Sequence, residues 1–386
     1  MRNEKKEELL LSIVMPVYNN LKFLEAAVES VEKQNKDNYE LIIVDDGSTD
    51  GTDKLVDKLA KQYENIQAIH QDNQWIYASF NNGIKAARGK YIFILNSDDK
   101  MADGTIEEFS RTVEKYNYPD VIWTKCVACY CDSGQNVYKR ISVNEDVVEE
   151  RYYSKEESKK LIETVLSTMQ IGGQFHFYKR DLMLKHPYHN VYAGDDRIFN
   201  FEILPDIKHS VIIPFETYLF HYYDDKSNAG AKYYGNEHSM YNEWYISAKQ
   251  MLRKCGIKDR KVLDIIRKER RNNLSTEVKL ILRQEFKNEE KFEMIFSKSW
   301  DDIVSECFDD REEFDARILS AIRAYLINHE IDESSDYFFV FELIDSLLKY
   351  EKTKEDMSKL KAAVYNINNP VNIGEVFLKR LIRNNI

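Results

Sequence analysis

Glycine and proline are scarce, 13 and 6 among 386 residues, which excludes a collagen-like or low-complexity chain. No apolar run approaches the ~20 residues that a membrane-spanning helix needs. Met1 to Glu8 are charged and polar, without the pattern of a secretory leader. The expectation is a soluble cytoplasmic protein. A basic excess is missing too: the formal net charge is -11. Nucleic-acid binders carry a basic face, so a nucleic-acid partner is not expected, whereas a small phosphorylated ligand bridged by a metal remains compatible. Of five cysteines, Cys126, Cys129 and Cys131 cluster. No second Cys or His pair stands at zinc-site spacing. They read as a strand with free thiols in a reducing compartment.

What is present is a 43% hydrophobic chain with room for roughly two or three domains. Residues 9–17 and 39–44, Ile66 to His70, and residues 91–95 read as short buried strands. Helical periods fill 21–33, 53–63 and 77–88, the last closed by Gly89 as a helix stop. This β-α-β-α-β-α-β order predicts a mostly parallel sheet with helices on both faces. A helix over 104–116, a strand over 121–130, a polar mobile excursion over 132–160, and strand patches at 174–178 and 211–215 follow. From about residue 230 helical periods dominate, as in Val262-Ile265-Ile266, Ile318-Ile322-Tyr325-Leu326 and the apolar segment 336–349. Two domains are expected, 1–229 and an all-α region 230–386.

Three acidic pairs carry the chemistry: Asp45-Asp46, Asp98-Asp99 and Asp195-Asp196. The first two follow apolar strands, and ligands of open α/β sheets bind at the carboxyl ends of strands. Asp46 can accept hydrogen bonds from a base N–H or ribose hydroxyls. Gly47 permits a tight turn, and Asp50 or Thr52 can cap the following helix. Asp98 and Asp99 suit Mg²⁺ or Mn²⁺, which joins one or two carboxylates to substrate phosphates. Asp196 can be a general base toward an acceptor hydroxyl. The same pair can also cap a helix.

Ser12-Ile13-Val14-Met15-Pro16-Val17-Tyr18-Asn19, Val44-Asp45-Asp46-Gly47-Ser48-Thr49-Asp50 and Leu95-Asn96-Ser97-Asp98-Asp99 together resemble family 2 glycosyltransferases, over about residues 10–225. The resemblance implies a GT-A fold and inverting transfer of a hexosyl or N-acetylhexosaminyl group from a UDP-sugar, with Mn²⁺ or Mg²⁺, to a hydroxyl of a glycan, lipid-linked or protein acceptor. It implies that Pro16, Tyr18 and Asn19 line the nucleotide pocket, with Asp46 on the base or ribose. Asn81 and Ser97 join the donor-binding set, and Asp98 holds the metal. Asp99 lies beside Asp98 near the donor sugar and shares the metal site. Asp196 is the base. His221, in His221-Tyr222-Tyr223-Asp224-Asp225-Lys226-Ser227, is a further metal ligand or diphosphate donor, with a packed aromatic cluster as the other reading. Bacterial surface polysaccharide synthesis (capsule, lipopolysaccharide or teichoic acid) is the implied setting, at the cytoplasmic side of the membrane.

The chain departs from the family pattern in four places. Asn96 stands where the first acid of the Asp-x-Asp motif is usual. Trp75 replaces a glycine, Phe80 replaces an arginine, and Asp195 replaces a glutamate. Trp75 either narrows the pocket, stacks on a ring or packs. A catalytically decayed sugar-nucleotide-binding protein is the alternative, against which Asp98, Asp99 and Asp196 argue. A nucleotidyltransferase would want a Gly-rich basic loop after the first strand, and Met15 to Asn20 is neither. The region 230–386 is expected to contact the acceptor, a partner or a second copy of the chain. Its run Arg267-Lys268-Glu269-Arg270-Arg271 reads as a solvated helix face, with peripheral membrane association left open.

Overall fold

The computed structural model describes residues 9–34, 38–132, 134–168, 173–189, 191, 194–223, 237–282 and 307. Its first hundred residues alternate as the sequence predicts: β1 (Leu11–Val17), α1 (Leu24–Glu32), β2 (Tyr39–Asp45), α2 (Thr52–Gln62), β3 (Ile66–His70), α3 (Ile76–Ala86) and β4 (Tyr91–Ile94). Then come β5 (Lys100–Met101), α4 (Thr105–Lys115), β6 (Val121–Cys131), β7 (Val137–Val143), β8 (Arg151–Tyr153) and α5 (Ser158–Thr168). These are followed by β9 (Phe177–Lys179), α6 (Arg180–Lys185), α7 (Asp195–Ile203) and β10 (Ser210–Tyr223). The strand order is β3-β2-β1-β4-β9-β6-β10-β5, with β7 paired to β6 and β8 to β10. β1, β2, β3 and β4 are parallel, whereas β9 runs antiparallel to both β4 and β6. The central sheet is mostly parallel, as expected, with β5, β7, β8 and β9 pairing antiparallel to it.

Strand alternation assigns the two faces. Leu11, Ile13, Met15 and Val17 of β1 share a core with Leu24, Val28 and Val31 of α1, Val56 and Leu59 of α2, and Phe109 and Val113 of α4. Val14 points the other way, onto α3. The carboxyl edge is opened by Pro16. The Val14 carbonyl accepts the Leu95 N–H at 3.0 Å, and the Val17 carbonyl accepts the Asp46 N–H at 2.9 Å. The even positions of β1 thus face β4, where Pro16 has no N–H to continue the ladder. The β1–β4 pairing stops at Val14 and Ile94, just before Asn96, Ser97 and Asp98.

The expected mobile excursion over 132–160 is a correction. Much of it is regular structure: β7 is a hairpin partner of β6, and β8 pairs with β10. Its polar residues hid the pattern because β7 is a largely exposed edge strand. The strand patch at 211–215 is part of the longer β10, whose register slips around the exposed Pro214, as proline at a bulge requires. All five cysteines are free thiols, and burial pushes Cys126 up to about 12.

By packing, the chain divides into two compact units, Met1–Ala231 with Glu243–Ile265, and Lys232–Asn242 with Ile266–Ile386. Two helices carry the described residues beyond 236: α8 (Glu237–Lys254) and α9 (Arg260–Leu282). In the second unit Arg270 is buried and donates to Asn242 Oδ1 at 2.8 Å, and Arg271 donates to the Cys307 carbonyl at 2.6 Å. The basic run is thus not wholly a solvated face. The expected helices around Ile318 and 336–349 lie outside the described residues.

Gly89, read as a helix stop, has a different role, since α3 closes at Ala87. A methyl group there would lie 2.5 Å from the Ser12 backbone nitrogen and 2.6 Å from the Leu11 carbonyl carbon. The Gly89 N–H also donates to Ser12 Oγ at 2.8 Å, and Ser12 Oγ donates to the buried Glu40 at 2.6 Å. Gly89→Ala is expected to cost about 1–3 kcal/mol by overpacking against backbone that cannot step aside. It would be read as a lower urea midpoint at unchanged slope. An unchanged midpoint would contradict this close approach.

Candidate active site

The loop after β1 and the loop after β2 are tied together. Asn19, at φ 48°, accepts the Thr49 N–H on Oδ1 at 2.7 Å and donates its own N–H to Ser48 Oγ at 2.9 Å. Asn20 donates to the buried Ser97 Oγ at 2.8 Å, which adds the loop after β4 to the same cluster. Asp50 accepts the Thr52 N–H and hydroxyl at the start of α2, the expected capping role, and also the Leu21 N–H at 3.3 Å. Pro16 is buried in β1, and Tyr18 stands exposed just beyond it.

Each acidic pair divides its labour. Asp45 Oδ1 accepts the Ser48 N–H and Oδ2 pairs with His70 Nδ1 at 3.0 Å, while His70 Nε2 reaches Asp57 at 3.1 Å. Its neighbour Asp46, also buried, takes Gln71 Nε2 at 2.7 Å and the Gln74 N–H at 2.9 Å, both on Oδ1. Among the described residues no hydrogen bond falls on Asp46 Oδ2.

In the second pair, Asp99 is the fixed member. Oδ2 accepts the Tyr218 hydroxyl at 2.7 Å and Oδ1 the His221 N–H at 2.8 Å. β5, which follows directly, pairs with β10 at Tyr218 and Leu219 and so brings these donors over the acid. Burial and the adjacent Asp98 push the Asp99 carboxyl well up. The Tyr223 hydroxyl donates to the Asp98 carbonyl at 3.3 Å, whereas among the described residues the Asp98 carboxylate takes only its own backbone N–H. Burial raises the Asp98 carboxyl as well. Asn96 turns its Oδ1 to Gln174 Nε2 at 3.0 Å.

His221 Nδ1 lies 2.9 Å from the Leu219 carbonyl, so Nδ1 carries the hydrogen and Nε2 the lone pair. Burial, then Lys100, lowers its pKa to about 4, which keeps the ring neutral. Among the described residues no three His, Cys, Asp or Glu side chains group as a complete metal site. The donor set still fits a Mg²⁺ or Mn²⁺ shared with a diphosphate, which needs only one or two protein ligands. Asp98 and His221 Nε2 have suitable lone pairs. Asp99 has both oxygens committed to protein donors.

The third pair opens α7. Asp195, fully buried, accepts the His189 backbone N–H and pairs with His189 Nδ1 at 2.9 Å. The Asp195 N–H donates to the Tyr77 hydroxyl oxygen at 2.9 Å, and that hydroxyl donates to Asp196 Oδ1 at 3.4 Å. Burial raises Asp196 to about 6, against the pull of Arg197 and its backbone N–H. Phe80, in the position of the missing arginine, is buried edge-on against Tyr77 (5.6 Å) and Tyr188 (5.2 Å). Asn81 spends both ends of its amide on the Tyr188 backbone, at 2.7 and 2.9 Å, and so braces the loop before α7.

Sequence reasoning missed Tyr77, Tyr218, Gln71, Gln174 and His189. Each reads locally as a core aromatic or a polar loop residue. Only contacts between positions 6 to 122 apart reveal their role.

Comparison with known proteins now defines the class. The family model described as Glycosyl transferase family 2 matches residues 12–185. Among relatives, glycosyltransferase GlyG of Streptococcus pneumoniae is 36% identical over 142 residues, 36% of this chain and 46% of GlyG. Glycosyltransferase EpsH of Bacillus subtilis is 34% identical over 127 residues, 33% of this chain and 36% of EpsH. The match thus spans less than half the length of either relative. The S. aureus TarS 1-349 structure in complex with UDP-GlcNAc superposes with a TM-score of 0.49 at 16% identity, covering 82% of this chain and 80% of that one.

Trp75 precedes α3 at φ 73° and ψ 164°, a backbone region that is nearly glycine-only. The residue is 50% exposed, so burial offsets only part of the strain. The strain is about 1–3 kcal/mol, partly cancelled by the ~1 kcal/mol of chain entropy that glycine loses on folding. Trp75→Gly is therefore expected to raise the melting temperature in a thermal melt. A fall would show that packing of the ring outweighs the strain.

Proposed function

We propose that this chain is an inverting glycosyltransferase that moves a hexosyl or N-acetylhexosaminyl group from a UDP-sugar to an acceptor hydroxyl. The observation that carries the reading is the division within the acidic pairs. Asp45, Asp99 and Asp195 are tied to protein donors, while Asp46 Oδ2, the Asp98 carboxylate and Asp196 retain capacity for ligands. A merely structural cluster would have no use for that asymmetry. The family match over residues 12–185 supports the same reaction class.

In this reading Asp46 accepts from the base or ribose, and the loops joined by Asn19 and Asn20 form the floor of the nucleotide pocket with Pro16, Tyr18 and Ser97. Asp98 and His221 Nε2 would hold a Mg²⁺ or Mn²⁺ that neutralises charge on the departing diphosphate. Asp99 orients His221 through its backbone instead of binding the metal. Asp196 removes the acceptor proton as that oxygen forms its bond to the anomeric carbon. The bond to the diphosphate oxygen breaks in the same in-line displacement, which inverts the anomeric centre. The acceptor proposed is a glycan, lipid-linked or protein hydroxyl in bacterial surface polysaccharide assembly. Among the described residues no helix is long and apolar enough to cross a membrane. In this reading the reaction takes place at the cytoplasmic side, with the acceptor brought to the enzyme.

The test is metal-dependent hydrolysis of a nucleotide-sugar panel by the full chain, beside Asp98→Asn and Asp196→Asn. One UDP-sugar is expected to be turned over, with kcat lowered about 10²- to 10⁴-fold by Asp196→Asn and nucleotide affinity largely kept. Absence of binding to every nucleotide-sugar by calorimetry would refute the assignment. Binding without turnover, even with candidate acceptors added, would favour the decayed protein.

A pH prediction follows from the raised Asp196 carboxyl. The base works ionised, so the rate is expected to rise with pH through about 6. Stability runs the opposite way. A carboxyl with a raised folded-state pKa favours the fold most when protonated. This contribution is present below the unfolded value of about 3.9 and is lost as pH rises through about 6. Asp196→Asn is expected to remove the rate limb and to flatten the stability loss between these values.

A further inference from the structure

We propose that Trp244, on α8 and beyond the segment that carries the family resemblance, is a positioning residue for the Asp196 base. The inference rests on the proposed role of Asp196. Its grounds are two contacts of one indole with the turn that opens α7. The indole N–H donates to the Gly194 carbonyl at 2.6 Å. The Arg197 guanidinium lies over the same ring, 4.3 Å from its centroid. Gly194 sits at φ 84°, a left-handed conformation that only glycine adopts readily, so this turn has few alternative shapes once its carbonyl is anchored. Trp244 lies in the same compact unit as α7.

The groups that face Asp196 make the consequence specific. They are the hydroxyl of Tyr77 on α3, Tyr178 on β9, Tyr188 in the loop before α7, and Asp195 and Arg197 on α7 itself. Arg197 is the cation among them. A guanidinium stacked on an indole face keeps its charge while its swing is restricted. Trp244 therefore fixes both the backbone that aims Asp196 and the charge that favours its ionised form. The opposite side of the turn is held by Tyr77 and His189. Trp244 completes a clamp whose members lie on three separate parts of the chain.

The experiment compares wild type, Trp244→Phe and Trp244→Ala in the full chain, each checked by circular dichroism. Two readouts are taken: donor hydrolysis against pH, and the Asp196 carboxyl titration by ¹³C-aspartate NMR, assigned with Asp196→Asn. Trp244→Ala is expected to lower kcat about 10- to 100-fold, the scale of a small misplacement of a reacting group. Donor KM is expected to stay within about 2-fold, because KM reports binding uniform to ground and transition states. The acid limb and the carboxyl titration should both move upward. Trp244→Phe keeps a ring for Arg197 but lacks the N–H. It is expected to lower kcat while leaving the titration close to wild type. An unmoved titration in Trp244→Ala would overturn the proposal, as would loss expressed in KM alone. If the wild type turns over no donor even with candidate acceptors added, the reading of an active glycosyltransferase fails, but the titration still decides whether Trp244 governs the carboxyl.

Discussion

A carboxylate withdrawn from water at the end of a strand must be given donors, because the effective penalty is several kcal/mol per ion. Most of the site is the arrangement of those donors. Tyr218 and the His221 backbone serve Asp99, His70 and Ser48 serve Asp45, and His189 serves Asp195. In each pair the satisfied acid fixes the backbone of its neighbour. The neighbour is then held in place with lone pairs to spare, which is what binding or proton transfer requires.

The sheet supplies this geometry by two local interruptions. Pro16, which has no N–H, lies where the β1–β4 ladder ends at the carboxyl edge. The slip of β10 around Pro214 falls between its pairing with β8 at Ser210–Ile212 and its pairing with β5 beside Asp99, while β6 accompanies it on both sides of the slip. Both are backbone devices: a missing N–H in one case, a bulge in the other.

The departures from the family pattern become local solutions when seen in space. Phe80 belongs to an aromatic cluster with Tyr77, Tyr188 and Phe199, whose low polarity also raises Asp196. Asn96 turns to Gln174 and Asp99, so it supports the acid pair. Trp75 is the exception, since its backbone carries strain without much burial.

The sequence alone determined the βα alternation, the parallel first half of the sheet and the three acidic pairs. Buried strands and amphipathic helices leave a local period of hydrophobicity, and short motifs leave a local spacing. It could not place β7 and β8, because exposed edge strands have no apolar run to betray them. Nor could it say which acid of each pair is spent and which is available. That depends on groups supplied from far along the chain, the Tyr218 hydroxyl donating to Asp99 and the Tyr77 hydroxyl accepting the Asp195 N–H. Only tertiary structure brings such groups within hydrogen-bonding distance, and no local pattern encodes a contact 119 residues long.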